Sequence, residues 1–242
     1  MIYHITGSIS AAIFLLTIAG LWSQLNSIWT QKRLSTSGHP SCDILSLNQF
    51  VSSFLAFFAF FLYAVCLPRF NHYLAWPRLA ACFLTLRVLY EIMRDRRDRL
   101  STVAFGTCAV VLVGGPFLLL INPGFAISIR VFSQGLIVLI TIVMAQGCLH
   151  QVGVIRQRGT TGVVSLRMHQ LFFLKDISTI AFALAMEMAA GWPLLLLSSV
   201  SAATKLITIW HFRWVRSSPL AEQRRHAANS LAEGPASLVA PI

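Results

Sequence analysis

The chain is poor in charge, and poorest in acid. Only 11% of its 242 residues are charged, with eight Asp and Glu against nineteen Lys and Arg. A soluble domain carries roughly 25% charged residues. With 56% hydrophobic residues and a mean hydropathy of +0.71, there is more apolar surface than a soluble fold of this length can hide. The remainder must face lipid. Paired cysteines are also missing. Cys42, Cys66, Cys82, Cys108 and Cys148 form no C-x-x-C pair and no Cys/His cluster. That excludes a disulfide framework and a metal site, and reads as buried free thiols. No HExxH, glycine-rich phosphate loop, nucleophile–base set or paired carboxylates occur. The expectation is therefore no enzyme and no cofactor. The first apolar run has no basic n-region, so no cleavable signal peptide is expected. The net charge of +11 does not imply nucleic-acid binding, because the basic residues sit in short clusters between apolar runs, where membrane proteins carry their orientation signal.

What the chain does have is a succession of apolar runs long enough to cross a ~30 Å hydrocarbon core as helices of ~20 residues. They cover about 4–30, 45–66, 73–92, 101–121, 126–155, 169–188 and 193–214. Breakers separate them: Ser37-Gly38-His39-Pro40, Pro68, Asn122-Pro123-Gly124, Gly159 to Gly162, and a short turn at Gly191-Trp192-Pro193. Seven crossings put thirteen Lys and Arg on one side, at 31–44, 93–100, 156–168 and from 213 onward. Three (Arg69, Arg78 and Arg130) fall on the other, with Arg87, Lys175 and Lys205 inside spans. The positive-inside rule then sets the N-terminus outside and the C-terminus in the cytoplasm. The cell (inner) membrane is the expected location. The tail from 217 to 242, rich in Ala, Ser and Pro, is expected to be disordered and cytoplasmic.

The first and fifth runs both end polar, with Gln24, Asn26, Thr30 and Gln31 in one and Gln146, His150 and Gln151 in the other. The segments just C-terminal to these two runs repeat each other. At an offset of 124, Thr36/Thr160, Gly38/Gly162, Ser41/Ser165 and Leu47/Leu171 are identical, and Lys32/Arg156 keeps its charge. Trp76-Pro77 and Trp192-Pro193 open the third run of each set. The reading is two parallel three-helix bundles (1–100 and 125–216) joined by a linker helix (101–124), a 3+1+3 all-α membrane protein. An odd linker lets the two triplets share one orientation.

The polar helix end, basic pair, Ser/Thr-x-Gly-x-x-Ser turn and following span resemble the PQ-loop repeat family, over about residues 4–214. That family includes the SWEET sugar transporters, lysosomal amino-acid exporters, the mitochondrial pyruvate carrier and the KDEL receptor. Leu25-Asn26 and Leu149-His150 stand where the family has its namesake Pro-Gln pair. The third run of each triplet lacks the Asn that sugar-transporting members place there. The resemblance implies two triple-helix bundles around a central cavity, alternating access and no covalent chemistry.

An ionisable residue inside a span costs ~2.5–3.5 kcal/mol at midplane on insertion scales, so it is paired or functional. Lys205 lies roughly 14 Å from the cytoplasmic end of its run and Asp176 roughly 10 Å. They are expected to face each other or a shared cavity, as a structural ion pair or as a substrate or proton site. Lys175, adjacent to Asp176, is expected to snorkel to the interface. Arg87 and Glu91 are spaced for an i,i+4 pair, with cavity lining the second reading of Arg87. His150 reads as a pH-sensitive gate or a packing histidine. Asn26 and Asn48 complete the cavity set of Asn26, Asn48, Arg87, His150, Asp176 and Lys205. Trp76, Trp192, Trp210 and Trp214 are placed as interface anchors.

The function expected is a transporter of a small polar solute (sugar, amino acid or small carboxylate) with protons as a coupling candidate. A ligand-binding sorting or sensing receptor of the same architecture is the alternative. A lipid-modifying enzyme ranks below both, since Asp95 and Asp98 lie in an arginine-rich loop. The expected partners are the bilayer and the solute. Monomer and homo-oligomer stay open.

Overall fold

The computed structural model describes residues 1–34, 47–161 and 166–225. Every long element among them is a helix: α1 (Ile2–Leu34), α2 (Leu47–Val65), α3 (His72–Arg96), α4 (Arg99–Ile121), α5 (Ala126–Arg158), α6 (Leu166–Ala185) and α7 (Met188–Ser217). A 3-10 turn, Pro123–Phe125, precedes α5. The repeat positions Thr36, Gly38, Ser41, Gly162 and Ser165, together with Cys42 and the tail from 226, lie outside the described residues.

The chain is an all-helical membrane protein. Five stretches are long and apolar enough to cross a bilayer: Ile2–Ala19 in α1, α2, α4, Pro123–Gln157 through α5, and α7. Little of α4 is covered by protein. Ser101, Cys108 and Leu112 are buried, while Val103, Val110, Val113, Phe117 and Leu120 are exposed. Without water in the hydrocarbon, a helix satisfies its own backbone, so such a face can meet lipid directly. At 33 residues each, α1 and α5 reach about 50 Å at ~1.5 Å per residue, well past a hydrocarbon core.

The helix ends follow local chemistry. Asn71 caps α3, its side chain accepting from the Leu74 N–H at 3.0 Å. Asp98 caps α4, and Ser101 donates to it through both backbone and hydroxyl. Such caps satisfy N–H groups that the helix leaves open. Asn122 holds the Pro-Gly turn by accepting from Gly124 N–H. Gly159 closes α5 at φ 64, a left-handed position that glycine adopts at no steric cost. A Cβ there would also meet the Ala221 carbonyl oxygen at 2.2 Å.

Two expectations are corrected. The turn between α6 and α7 is not Gly191-Trp192-Pro193. It falls at Met186 and Glu187, and those three residues lie within α7. Gly191 is there because its Cα faces the end of α6: a Cβ would stand 2.4 Å from the Ala183 carbonyl oxygen. The ordered chain also runs past Ser217. Residues 219–225 are helical and dock on the end of α5, with Arg224 donating to the Arg156 carbonyl.

The neighbours of each helix are specific. α3 packs against both α1 and α2, and α7 against both α5 and α6. α1 meets α6, α2 meets α5, and α4 lies on α3 and α2. The main core sits where α2 and α3 meet, around Phe54, Phe58, Tyr63, Leu74, Leu89 and Ile92.

Candidate functional site

The chemistry concentrates where α6 crosses α7. Asp176 is 1% exposed. A carboxylate in that position needs partners, because an isolated buried charge is far more costly than a paired one. It has two. Lys175 Nζ lies 2.8 Å from Oδ1, and Ser201 on α7 donates its hydroxyl to Oδ2 at 2.5 Å. The expectation that Lys175 snorkels away is corrected. Adjacent residues point about 100° apart on a helix, but the four-carbon stem is long enough to fold back, and a buried carboxylate rewards it for doing so.

Of the two expectations for Asp176 and Lys205, facing each other or a shared cavity, a direct ion pair is not formed, since Asp176 pairs with Lys175. Lys205 lies one turn beyond Ser201 on α7 and interacts electrostatically with Asp176, Lys175 and Cys148. Cys148 brings α5 to the same level, its thiol 3.5 Å from the Thr204 carbonyl and 3.8 Å from the Thr208 hydroxyl. One turn further along α6, Thr179 donates to the Lys175 carbonyl at 2.8 Å and lies 3.4 Å from Ser10 on α1. A polar track therefore runs from α7 through Asp176 and α6 to α1. It offers an acid, two ammonium groups and three hydroxyls, which can bind and orient a polar solute or pass a proton.

The other predicted residues stand apart from this cluster. Arg87 makes its expected pair with Glu91, Nη2 to Oε1 at 3.0 Å. Glu91 also accepts from the Trp29 indole at 3.2 Å, and the Arg87 guanidinium lies over the Tyr90 ring at 4.8 Å. Arg87 thus helps fasten α3 to α1. Asn26, Asn48 and His150 are exposed on α1, α2 and α5. Of the four tryptophans, Trp76 and Trp210 are exposed and Trp192 and Trp214 half-buried. Cys66, Cys82 and Cys108 are buried free thiols.

Sequence reasoning missed Ser201, Thr179, Ser10 and Trp29. Ser201 carried a readable signal: it stands four residues before Lys205 and so on the same face of α7. Trp29 carried none, since nothing in its neighbourhood specifies α3 as its partner. Arg78 was counted with the basic residues of the outer side, and it is a buried residue of α3. No group of His, Cys, Asp and Glu suited to a metal occurs among the described residues.

No family model matches this sequence, and no curated protein is detectably similar to it.

Proposed function

We propose that the chain is a PQ-loop/SWEET-like transporter that moves a small polar solute through a central pathway by alternating access. On this reading 1–100 and 125–216 are two parallel triple-helix bundles, 101–124 is the linker, and all seven helices cross the bilayer with the C-terminus in the cytoplasm.

The observation that carries the reading is the exchange relation among neighbours. α3 stands to α1 and α2 as α7 stands to α5 and α6, and α1 meets α6 as α2 meets α5. Swapping the two triplets leaves this pattern unchanged, as a pseudo-two-fold axis along the membrane normal requires. α4 lies outside the exchange, as a linker must. Trp76-Pro77 and Trp192-Pro193 support it independently, because both prolines are the sixth residue of their helix, in α3 and in α7.

Seven crossings need α3 and α6 to span as well, although both carry charge. Ionisable residues within spans face the bundle and pair there, and Glu91 and Asp176 do both. With Asp176 neutralised by Lys175, the ammonium of Lys205 is left for a solute, which favours one bearing a carboxylate.

The test is uptake into proteoliposomes of labelled sugars, amino acids and monocarboxylates, with and without a pH gradient. Flux of one class, reduced at least tenfold in Lys205→Ala of equal thermal stability, is the expected result. Saturable binding of one class without flux would replace the transporter by a receptor of the same architecture.

A further inference from the structure

Arg78 has no partner that its charge requires. It is 5% exposed, deep in the first half of the chain. Its guanidinium lies over the Phe14 ring of α1 at 4.0 Å, and the Phe60 ring of α2 is 5.9 Å away. No carboxylate acts on it. Guanidinium stays charged in proteins and presents five donors in a planar fork. Aromatic faces attract a cation but accept none of those hydrogen bonds.

A second orphan lies on the same face. Thr85 is seven residues on, two turns along α3, fully buried, and its hydroxyl has no hydrogen-bond partner. Buried polar groups are normally bonded, so each exception needs a reason. The second half shows what is absent. In the register set by the two Trp-Pro pairs, Thr85 corresponds to Ser201, whose hydroxyl serves Asp176. In the register of Leu47 and Leu171, Asp176 corresponds to Ser52. So in the second half a cation and a hydroxyl share a buried anion, whereas Arg78 and Thr85 share none, the buried acid of the first half, Glu91, being paired with Arg87.

We infer that Arg78 is the receptor for an external oxyanion, a carboxylate or phosphate that enters between α1, α2 and α3 and takes both arms of the guanidinium. The comparison of the halves rests on the repeat reading above, but the site requires no transport. A planar oxyanion matches the fork bidentately, and the Thr85 hydroxyl is available to the more distant part of a longer molecule. The oxyanion can come from a soluble solute or from an anionic lipid headgroup.

The test uses the full chain purified in dodecyl maltoside, a surfactant with no charged group, in low-salt buffer. Sodium lactate, sodium succinate and inorganic phosphate are titrated separately while the thermal-unfolding midpoint is followed. A parallel series replaces them with phosphatidylglycerol added to the micelles. The expected result is a saturable rise of several degrees with at least one probe, smaller in Arg78→Lys and absent in Arg78→Gln. A rise with a soluble probe assigns the site to a solute, and one with phosphatidylglycerol alone assigns it to a lipid. Arg78→Met serves as the second variant. It should unfold no earlier than wild type without oxyanion, since it removes an uncompensated charge, and it should not respond to the probes. No Arg78-dependent rise in either series would overturn the inference. So would an Arg78→Met protein that is less stable than wild type when no oxyanion is present.

Discussion

Among the described helices the pairs α2–α3 and α6–α7 make the most extensive contacts, and they hold together by different means. The buried face of α2 is Phe50, Phe54, Phe58, Phe60, Phe61 and Tyr63 with smaller apolar residues, and the Phe54 and Phe58 rings stack at 5.9 Å. The buried face of α7 has Ser198, Ser201, Thr204, Thr208 and His211 among its apolar residues. Ser198, Thr204 and Thr208 bond back to carbonyls of their own helix, which satisfies each hydroxyl locally. They leave a slim, self-sufficient surface that lets a neighbouring helix approach closely. Ser201 instead spends its hydroxyl on Asp176. Aromatic packing tolerates small slips because it has no fixed direction, whereas a carboxylate held by one hydroxyl and one ammonium does not. The second pair is therefore the one in which, on the proposed function, a bound proton or solute would alter how two helices meet.

The strongest way to break this contrast is to remove its acid. Asp176→Ala strands the Lys175 ammonium and the Ser201 hydroxyl. Breaking a buried pair costs about 3 kcal/mol or more. Lys175 is 20% exposed and can withdraw toward the headgroups, which holds the loss to the low end. Removing the buried acid of the first half, Glu91→Ala, should cost less, because Arg87 is already 45% exposed and the Trp29 indole loses a single long hydrogen bond. Thermal-unfolding midpoints of the two variants compare them directly, and an equal loss would remove the distinction.

Close approach separates the pairs next. Gly191→Ala forces a Cβ against the backbone oxygen of Ala183 and should cost about 2 kcal/mol through strain at the α6–α7 turn. Gly114→Ala on α4 meets nothing within 4 Å and should be neutral or gain up to about 1 kcal/mol from helix propensity. Denaturation midpoints of the pair test the assignment. Ser201→Ala comes below these, at about 1 kcal/mol for an interhelical bond in a membrane protein.

The smallest effect lies outside the spans. The Ser101 hydroxyl holds the Asp98 carboxyl below the usual carboxylate range. A group whose folded pKa is depressed stabilises the fold above its unfolded value and loses that contribution as pH falls through the folded one. Hydrogen exchange at the start of α4 should therefore accelerate, after correction for intrinsic rates, as the pH drops below about 4. Asp98→Asn keeps an acceptor at the cap and should abolish that pH dependence.

The helical class and the positions of most helices are legible in the chain, because apolar runs between strong breakers leave few other solutions. The Arg87–Glu91 pair is legible too, since one helix fixes the spacing of both partners. The polar cluster is only half legible. Asp176 and Lys205 announce themselves by their cost in lipid, but which cation Asp176 takes depends on how far a flexible lysine stem can bend, and one-dimensional spacing does not carry that. The Gly191 to Pro193 segment misleads for a related reason. Gly, Trp and Pro together suggest a turn, yet glycine there serves close packing, and a proline six residues into a helix needs only one hydrogen bond forgone. Arg78 reads as part of the outer charge count because it stands near the start of its run, and nothing in the spacing shows that its side chain turns inward.

The account stands on movement between α1 and α6, the helices joined by Ser10 and Thr179 with their oxygens 3.4 Å apart. The most direct measurement is uptake, in proteoliposomes, of the solute class found in the panel by the double variant Ser10→Cys with Thr179→Cys. It is followed under oxidation and after dithiothreitol, with wild type treated in the same way. Uptake should fall to background when the two thiols are joined and return on reduction. Uptake at the wild-type rate by the fully cross-linked protein would contradict alternating access between the two halves.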